Sequence, residues 1–252
     1  MIRFTQISKN FGDKEVLINI SGDFQQGQCN LIIGASGTGK SVLLKCVVGL
    51  IRPDFGQVFY DGREFTGGSS EKKTGIRREI GMLFQGSALF DSKNVEQNVM
   101  FPLNVLTEMP KDEKLERVNT VLNRVGLEGV NKKMPSELSG GMKKRVGIAR
   151  AIVNNPRYLF CDEPNSGLDP QTSIIIDELI KEITEEYNTT TVVVTHDLNS
   201  VIEIGEHVIF LYKGHKLWEG SNDDILQSGV RELDDFVYAN QMMRMMRGKM
   251  GA

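Results

Sequence analysis

The sequence predicts an α/β protein built on a parallel sheet with helices on its faces. Beyond residue 155, strand-like runs at 158–161, 191–194 and 208–212 are interrupted by a long helical pattern over 170–187. Parallel strands need that order, because each return crossing takes a helix. A glycine-rich loop joins the apolar run 28–33 to a helical stretch beginning at Lys40. Residues from about 94 to 155 hold few β-rich runs and read as a helical insertion.

Taken in order, residues 2–7 alternate, 16–20 are β-rich, and 28–33 end in the apolar Leu31-Ile32-Ile33, so the first third reads as strands. The helix from Lys40 is expected to run to about Leu50, stopped by Pro53-Asp54-Phe55-Gly56. Residues 57–60 form a short strand. Gly67-Gly68-Ser69-Ser70 and the charged stretch to Thr74 read as an exposed loop. Leu115, Val118, Leu122 and Val125 recur at helical spacing, with Gly126 as a natural stop. Asp169 is placed to cap the 170–187 helix, with Pro170 in its first turn. No internal repeat is found, which predicts one catalytic module over 1–240. Leu233, Phe236, Asn240, Met243 and Met246 fall on one helical face, and 241–252 form a methionine-rich tail. That face can pack on its own domain or on a partner subunit, since methionines adapt to varied surfaces.

Composition narrows the function. The net charge of −3 gives no broad attraction to phosphate backbones, so nucleic acid is not expected as a partner. Cys29, Cys46 and Cys161 have no metal-like spacing and read as small reduced core residues. Met1-Ile2-Arg3-Phe4-Thr5 does not resemble a secretory signal, and no stretch approaches ~18 consecutive apolar residues. The expectation is a protein that is cytosolic or peripheral to a membrane.

Gly34-Ala35-Ser36-Gly37-Thr38-Gly39-Lys40-Ser41 satisfies the G-x-x-x-x-G-K-[ST] pattern after a strand and at the opening of a helix. Glycines let the backbone N–H groups turn inward around phosphates, and the helix N-terminus adds partial positive charge. Lys40 is expected to reach the β- and γ-phosphates of ATP and Ser41 to ligate Mg²⁺. Downstream, Tyr158-Leu159-Phe160-Cys161 runs into Asp162-Glu163. A buried strand would deliver both carboxylates to its C-terminal edge, where α/β sheets place ligands. Asp162 then orients the metal or its water, and Glu163 is the candidate base for the attacking water.

Leu138-Ser139-Gly140-Gly141-Met142, followed by Lys143-Lys144-Arg145, resembles the signature segment of ABC ATPases, with Met142 where the commoner form has Gln. Other residues fit that family in order. Phe11 takes the place of the aromatic that stacks on adenine, with core packing as the local alternative. Gln85, following a strand over 80–84, resembles the Q-loop glutamine and implied metal ligand, or else a surface polar residue. Ser166-Gly167-Leu168-Asp169 looks like the D-loop, and Thr195-His196-Asp197 like the switch-histidine segment, with helix capping as the alternative for His196. Ser139 is also available as an N-cap. The resemblance implies a RecA-like P-loop core, an N-terminal antiparallel β subdomain and an inserted helical subdomain. It implies catalysis by Lys40, Gln85, Glu163 and His196. It further implies two copies stacked head-to-tail, Ser139, Gly140, Gly141 and Asp169 of one chain completing the nucleotide site of the other.

Within that family, Phe84-Gln85-Gly86-Ser87-Ala88-Leu89-Phe90-Asp91, Asn94-Val95, Asn98-Val99, Pro102-Leu103, residues 134–142 and residues 231–236 resemble the Mla-type phospholipid-trafficking ATPases. This implies a permease in the inner membrane, this chain on its cytoplasmic face, a coupling helix received by residues 84–105, and room for a small regulatory subunit. A soluble ABC ATPase such as an iron–sulfur assembly subunit, and a nucleotide-gated module that does not hydrolyse, are the competing readings. Asn165 departs from the residue common after Glu163-Pro164, and no function attaches to it from the sequence.

Overall fold

The structure, a computed structural model, describes residues 1–239. Ten strands and eight α-helices follow one another among these residues. β1 (Ile2–Phe11) and β2 (Lys14–Phe24) form a hairpin, closed by Gly12 at φ +58°. With β4 (Phe55–Tyr60) and β5 (Arg63–Glu64) they make an antiparallel sheet of order β2-β1-β4-β5. The second sheet joins β3 (Cys29–Ile33), β6 (Ile80–Leu83), β7 (Tyr158–Asp162), β8 (Thr190–Val194), β9 (His207–Tyr212) and β10 (His215–Gly220) in the order β10-β9-β3-β8-β7-β6. Its five strands from β9 to β6 run parallel, and β10 returns antiparallel as a hairpin.

Strand alternation splits the interior into two cores. Ile32, Phe160, Val192, Val194 and Ile209 face the antiparallel sheet and α1 (Lys40–Val48). Leu31, Ile33, Leu159, Cys161, Val193, Val208 and Phe210 face the opposite way, toward the remaining helices. Burial of both faces explains why these strands read as continuous apolar runs. Each fully buried leucine or isoleucine contributes about 1.5–3 kcal/mol relative to exposure. All three cysteines are buried and free, as their apolar surroundings predict.

The helical insertion consists of α3 (Val95–Leu106), α4 (Lys111–Arg124) and α5 (Gly140–Ile152). Asn94 and Gln97 form a reciprocal cap at the start of α3. Val118, Leu122 and Val125 are buried as their spacing predicts, and Gly126 follows α4 at φ +67°. α6 (Pro170–Tyr187), α7 (Leu198–Ile204) and α8 (Arg231–Val237) complete the set.

Two sequence expectations need correction. Residues 70–74 are not a loop: α2 (Ser70–Arg78) begins there, its first turn capped by the Ser69 hydroxyl accepting from Lys72 N at 3.4 Å. Burial of Ile76 and the basic Arg77 and Arg78 in the last turn hold a helix whose polar face hid it from periodicity. α1 stops at Val48 rather than Leu50, because Gly49 takes the left-handed conformation at φ +79° and closes the helix before Pro53 is reached. In α8, Leu233 is buried and Phe236 packs on Phe210 with ring centroids 5.6 Å apart. Its described part therefore packs on its own domain. Asn240, Met243, Met246 and the tail 241–252 lie outside the described residues.

Candidate functional site

β3 ends at Ile33, and the chain turns through Gly34 (φ +143°), Gly37 (φ +79°) and Gly39 (φ +102°) before α1 begins at Lys40. A Cβ on Gly34 would lie 2.3 Å from Leu211 O, and one on Gly39 would lie 2.8 Å from Val16 O. Both positions therefore require glycine for space as well as for φ. Ala35, Ser36 and Thr38 fill the rest of the loop, and the Thr38 hydroxyl donates to Ala35 O at 2.9 Å.

Lys40 is 5% exposed, and its Nζ donates to Gly34 O at 2.9 Å and Ala35 O at 3.0 Å. The ammonium thus bridges back over the loop it follows. Burial pulls its pKa below the ordinary lysine value, while the Glu163 and Asp162 carboxylates push the other way. Ser41 Oγ donates to Asp162 Oδ1 at 2.8 Å. Asp162 is 2% exposed at the C-terminal end of β7.

Glu163 takes φ +48°, an uncommon conformation for a non-glycine residue, and its N–H donates to Val194 O at 2.9 Å. Gln85 Nε2 donates to Glu163 Oε2 at 3.3 Å, and His196 Nδ1 lies 3.2 Å from Glu163 Oε1. Three sequence candidates from three strand ends therefore meet on one carboxylate. His196 does not cap α7; Asp197 does, accepting from Asn199 N at 2.9 Å.

The oxygen set Ser41 Oγ and Asp162 Oδ1 fits Mg²⁺, which keeps several waters and takes few protein ligands alongside substrate phosphates. Among the described residues no cluster of three or more His, Cys, Asp or Glu side chains could hold a metal by itself. Such a set suits an ion that arrives with a nucleotide. Gln85, the third expected ligand, is brought to Glu163 and makes no hydrogen bond to Ser41 or Asp162.

Phe11 is 49% exposed at the end of β1, with Lys9 Nζ 5.5 Å from its ring centre. Core packing is thereby excluded for it. Ser139 caps α5, accepting from Met142 N at 3.3 Å. A Cβ on Gly141 would come within 2.7 Å of Thr172 Cγ2, so this segment lies against the start of α6. Asp169 caps α6 through Thr172 N at 3.0 Å and Thr172 Oγ1 at 2.6 Å, bonds that hold its carboxyl below the usual range. No hydrogen bond joins Ser139, Gly140, Gly141 or Asp169 to residues 34–41 among the described residues.

One contributor escaped sequence reasoning. Lys144 reads as part of a basic run, yet it is 4% exposed, and its Nζ donates to Glu163 O at 3.0 Å and Ser166 Oγ at 3.3 Å. Its place on the inner face of α5 was the available signal. Arg150 does similar work for the segment after Gln85, donating to Ser87 O at 2.6 Å and Ala88 O at 2.8 Å.

Known proteins share this arrangement. Residues 17–166 match the family described as ABC transporter. A probable ribonucleotide transport ATP-binding protein of Mycobacterium leprae (strain TN) is 38% identical over 222 residues, 88% of this chain and 64% of that protein. A methionine import ATP-binding protein of Carboxydothermus hydrogenoformans is 44% identical over 207 residues, 82% of this chain and 61% of that protein. The chain thus spans less than two thirds of the length of either relative. Among solved structures, the dimeric post-hydrolysis state of the ATP-binding cassette MJ0796 bound to ADP and Pi aligns with a TM-score of 0.80 at 33% identity, covering 88% of this chain and 99% of that one. Clostridium perfringens cbiO1, part of the ABC transporter complex cbiONQ, aligns with a TM-score of 0.82 at 29% identity, covering 98% of each chain. With the phosphate loop, the paired carboxylates and the signature segment on one scaffold, the chain belongs to the ABC transporter family and carries its ATP-binding domain.

Proposed function

We propose that this chain is the ATP-hydrolysing subunit of a transporter, working as a pair of copies beneath a membrane permease. The observation that carries the reading is the Glu163 carboxylate, held by Gln85 and His196 beside a buried Lys40. In this reading the backbone N–H groups of residues 34–41 and Lys40 bind the triphosphate. Ser41 and Asp162, with Gln85 as a third candidate ligand, would hold Mg²⁺, which would supply charge neutralisation at the phosphates. Water attacks the γ-phosphorus, the bond to the bridging oxygen breaks, and Glu163 takes the water proton. A base of this kind contributes about 10²–10⁴ in rate.

Ser139, Gly140, Gly141 and Asp169 have no partner on the phosphate loop of their own chain, which supports their use on the loop of a second copy. The dimeric MJ0796 cassette favours the same arrangement. Phe11, half exposed, is available to adenine. No helix of the described residues is long and apolar enough to cross a membrane; in this reading a separate permease supplies the path, with this chain on its cytoplasmic face. Phe90 and Phe101, exposed and with ring centroids 4.8 Å apart, offer that permease an apolar foothold. A small regulatory subunit on the helical block belongs to the same reading.

The likeness of residues 84–91, Asn94-Val95, Asn98-Val99, Pro102-Leu103, 134–142 and 231–236 to the phospholipid-trafficking ATPases supports phospholipid as the cargo. The relatives named for ribonucleotide transport and methionine import favour a second reading, a small polar solute. Identification of the molecule that co-purifies with the detergent-extracted complex separates the two. The motor itself is tested with Glu163→Gln: given ATP and magnesium, it should elute as a dimer and lose hydrolysis by about 10²–10⁴. A variant that stays monomeric with ATP bound, or turns over at the parental rate, overturns the reading.

A further inference from the structure

Behind the catalytic carboxylate lies a second polar cluster with no place in the scheme above. Asn165, Asp177 and Ser200 are 8%, 3% and 0% exposed. Asn165 Nδ2 donates to Asp177 Oδ2 at 2.8 Å and to Ser200 Oγ at 3.0 Å, and the Ser200 hydroxyl donates to the same Asp177 oxygen at 2.8 Å. The three residues close a ring that joins three separate elements. Asn165 stands two residues after Glu163, in the turn leading to residues 166–169. Asp177 lies in α6 and Ser200 in α7, one turn beyond Asp197 and the switch histidine.

The ring is costly. Asn165 Oδ1 and Asp177 Oδ1 are buried without a partner among the described residues, and each such group costs about 1–3 kcal/mol. Asp197, the cap of α7, Glu203 within it and the Cys161 thiol on β7 act on Asp177. Burial raises the Asp177 carboxyl to about 6, against the hydrogen bonds from Ser200 and Asn165 that lower it. Apolar residues of similar volume would pack there at least as stably. What directional bonds add is position.

His196 has need of it. Its side chain is 61% exposed and has the Glu163 contact as its hydrogen bond. Its place is set by backbone: Thr195 N donates to Ile32 O at 3.2 Å on one side, and α7 follows on the other. α7 has only seven residues, too short to hold its own orientation.

We propose that Asn165, Asp177 and Ser200 are positioning residues that lock the switch-histidine helix to the Glu163 turn and to residues 166–169, so that His196 and Glu163 keep their register through each cycle of the dimer. The inference rests on the hydrolytic role of Glu163. It makes the ring a coupling between the hydrolytic residues and the face offered to the second copy.

Steady-state ATP hydrolysis by the full-length chain tests it, with Glu163→Gln as the reference for the chemistry. Ser200→Ala and Asn165→Ala should lower kcat by about ten- to a hundredfold, as misplacement of reacting groups does, with KM for ATP moving less than about twofold. Ser200→Thr, which keeps the hydroxyl, should recover most of the loss. Asp177→Asn, close in shape and still offering an acceptor oxygen to Asn165 and Ser200, should hold kcat within about threefold of the parent. Parental kcat in both alanine variants overturns the proposal. So does loss of kcat that Ser200→Thr fails to restore, or a loss in Asp177→Asn as large as that of the alanine variants. If the alanine variants do not fold, Ser200→Cys, close in volume and only a weak donor, takes their place, and parental kcat in it overturns the proposal. Absence of Glu163-dependent hydrolysis in the parent chain would instead sink the functional reading.

Discussion

Ser41 and Asp162, 121 residues apart in the chain, are joined by a hydrogen bond of 2.8 Å. One opens α1 after β3; the other ends β7, two strands away across β8. Parallel strands bring their C-terminal edges to the same side, so the phosphate loop, the carboxylate pair and the switch histidine all emerge together. The bond is the point where two candidate metal-ligand oxygens from distant segments become one site.

Lys40 donates to two carbonyls of its own loop, contacts that a triphosphate must replace. Lys40→Ala should leave those carbonyls intact and remove the cation, cutting hydrolysis by about 10²–10³, as loss of a positioned charge does. Nucleotide binding by fluorescence titration should fall with it. Near-parental turnover would mean that the loop binds something other than a triphosphate.

Gly34 combines φ +143° with a would-be Cβ 2.3 Å from Leu211 O. Gly34→Ala should destabilise the fold by about 1–3 kcal/mol through backbone strain alone, with the steric conflict adding to it. Urea denaturation measures this. A change below a few tenths of a kcal/mol would show that the β3–β9 edge gives way freely.

Phe11 is exposed and makes no core contact of the kind its neighbour Ile7 makes. Phe11→Ala should therefore weaken nucleotide affinity by about tenfold, the loss of one stacking interaction, while the unfolding midpoint holds. Unchanged affinity would remove Phe11 from the site.

Asp177 carries a pH signature of stability. Its folded pKa of about 6 lies above the ordinary 3.8, so folding favours the protonated form. The stabilising share is complete below the unfolded value and is lost as pH rises through 6. Asp177→Asn should be more stable than the parent above pH 6, by at most about 3 kcal/mol, with the difference closing toward pH 4. Unfolding curves across that range check it, and a constant difference would assign the shift elsewhere.

The phosphate loop and the Asp162-Glu163 pair are legible in one dimension because each is a contiguous run. There, local backbone geometry dictates residue type: glycines for φ, an apolar strand before the acids. The span of α6 is equally plain, since Asp169 and Pro170 mark its start and Asn188, at φ +50°, its end. α2 was hidden because its faces are almost wholly charged and one buried residue, Ile76, gives no period.

The sequence alone determined the family, the phosphate-loop pattern, the acidic pair at the end of β7 and the helical insertion, all of which depend on neighbours within a few residues. Only the tertiary structure decided that Gln85 and His196 converge on Glu163, that Lys144 points inward, and that Asn165, a departure without meaning in the linear chain, closes a ring with Asp177 and Ser200. Those contacts join residues up to 78 positions apart. Their register is set by strand pairing and helix packing, which no local pattern records.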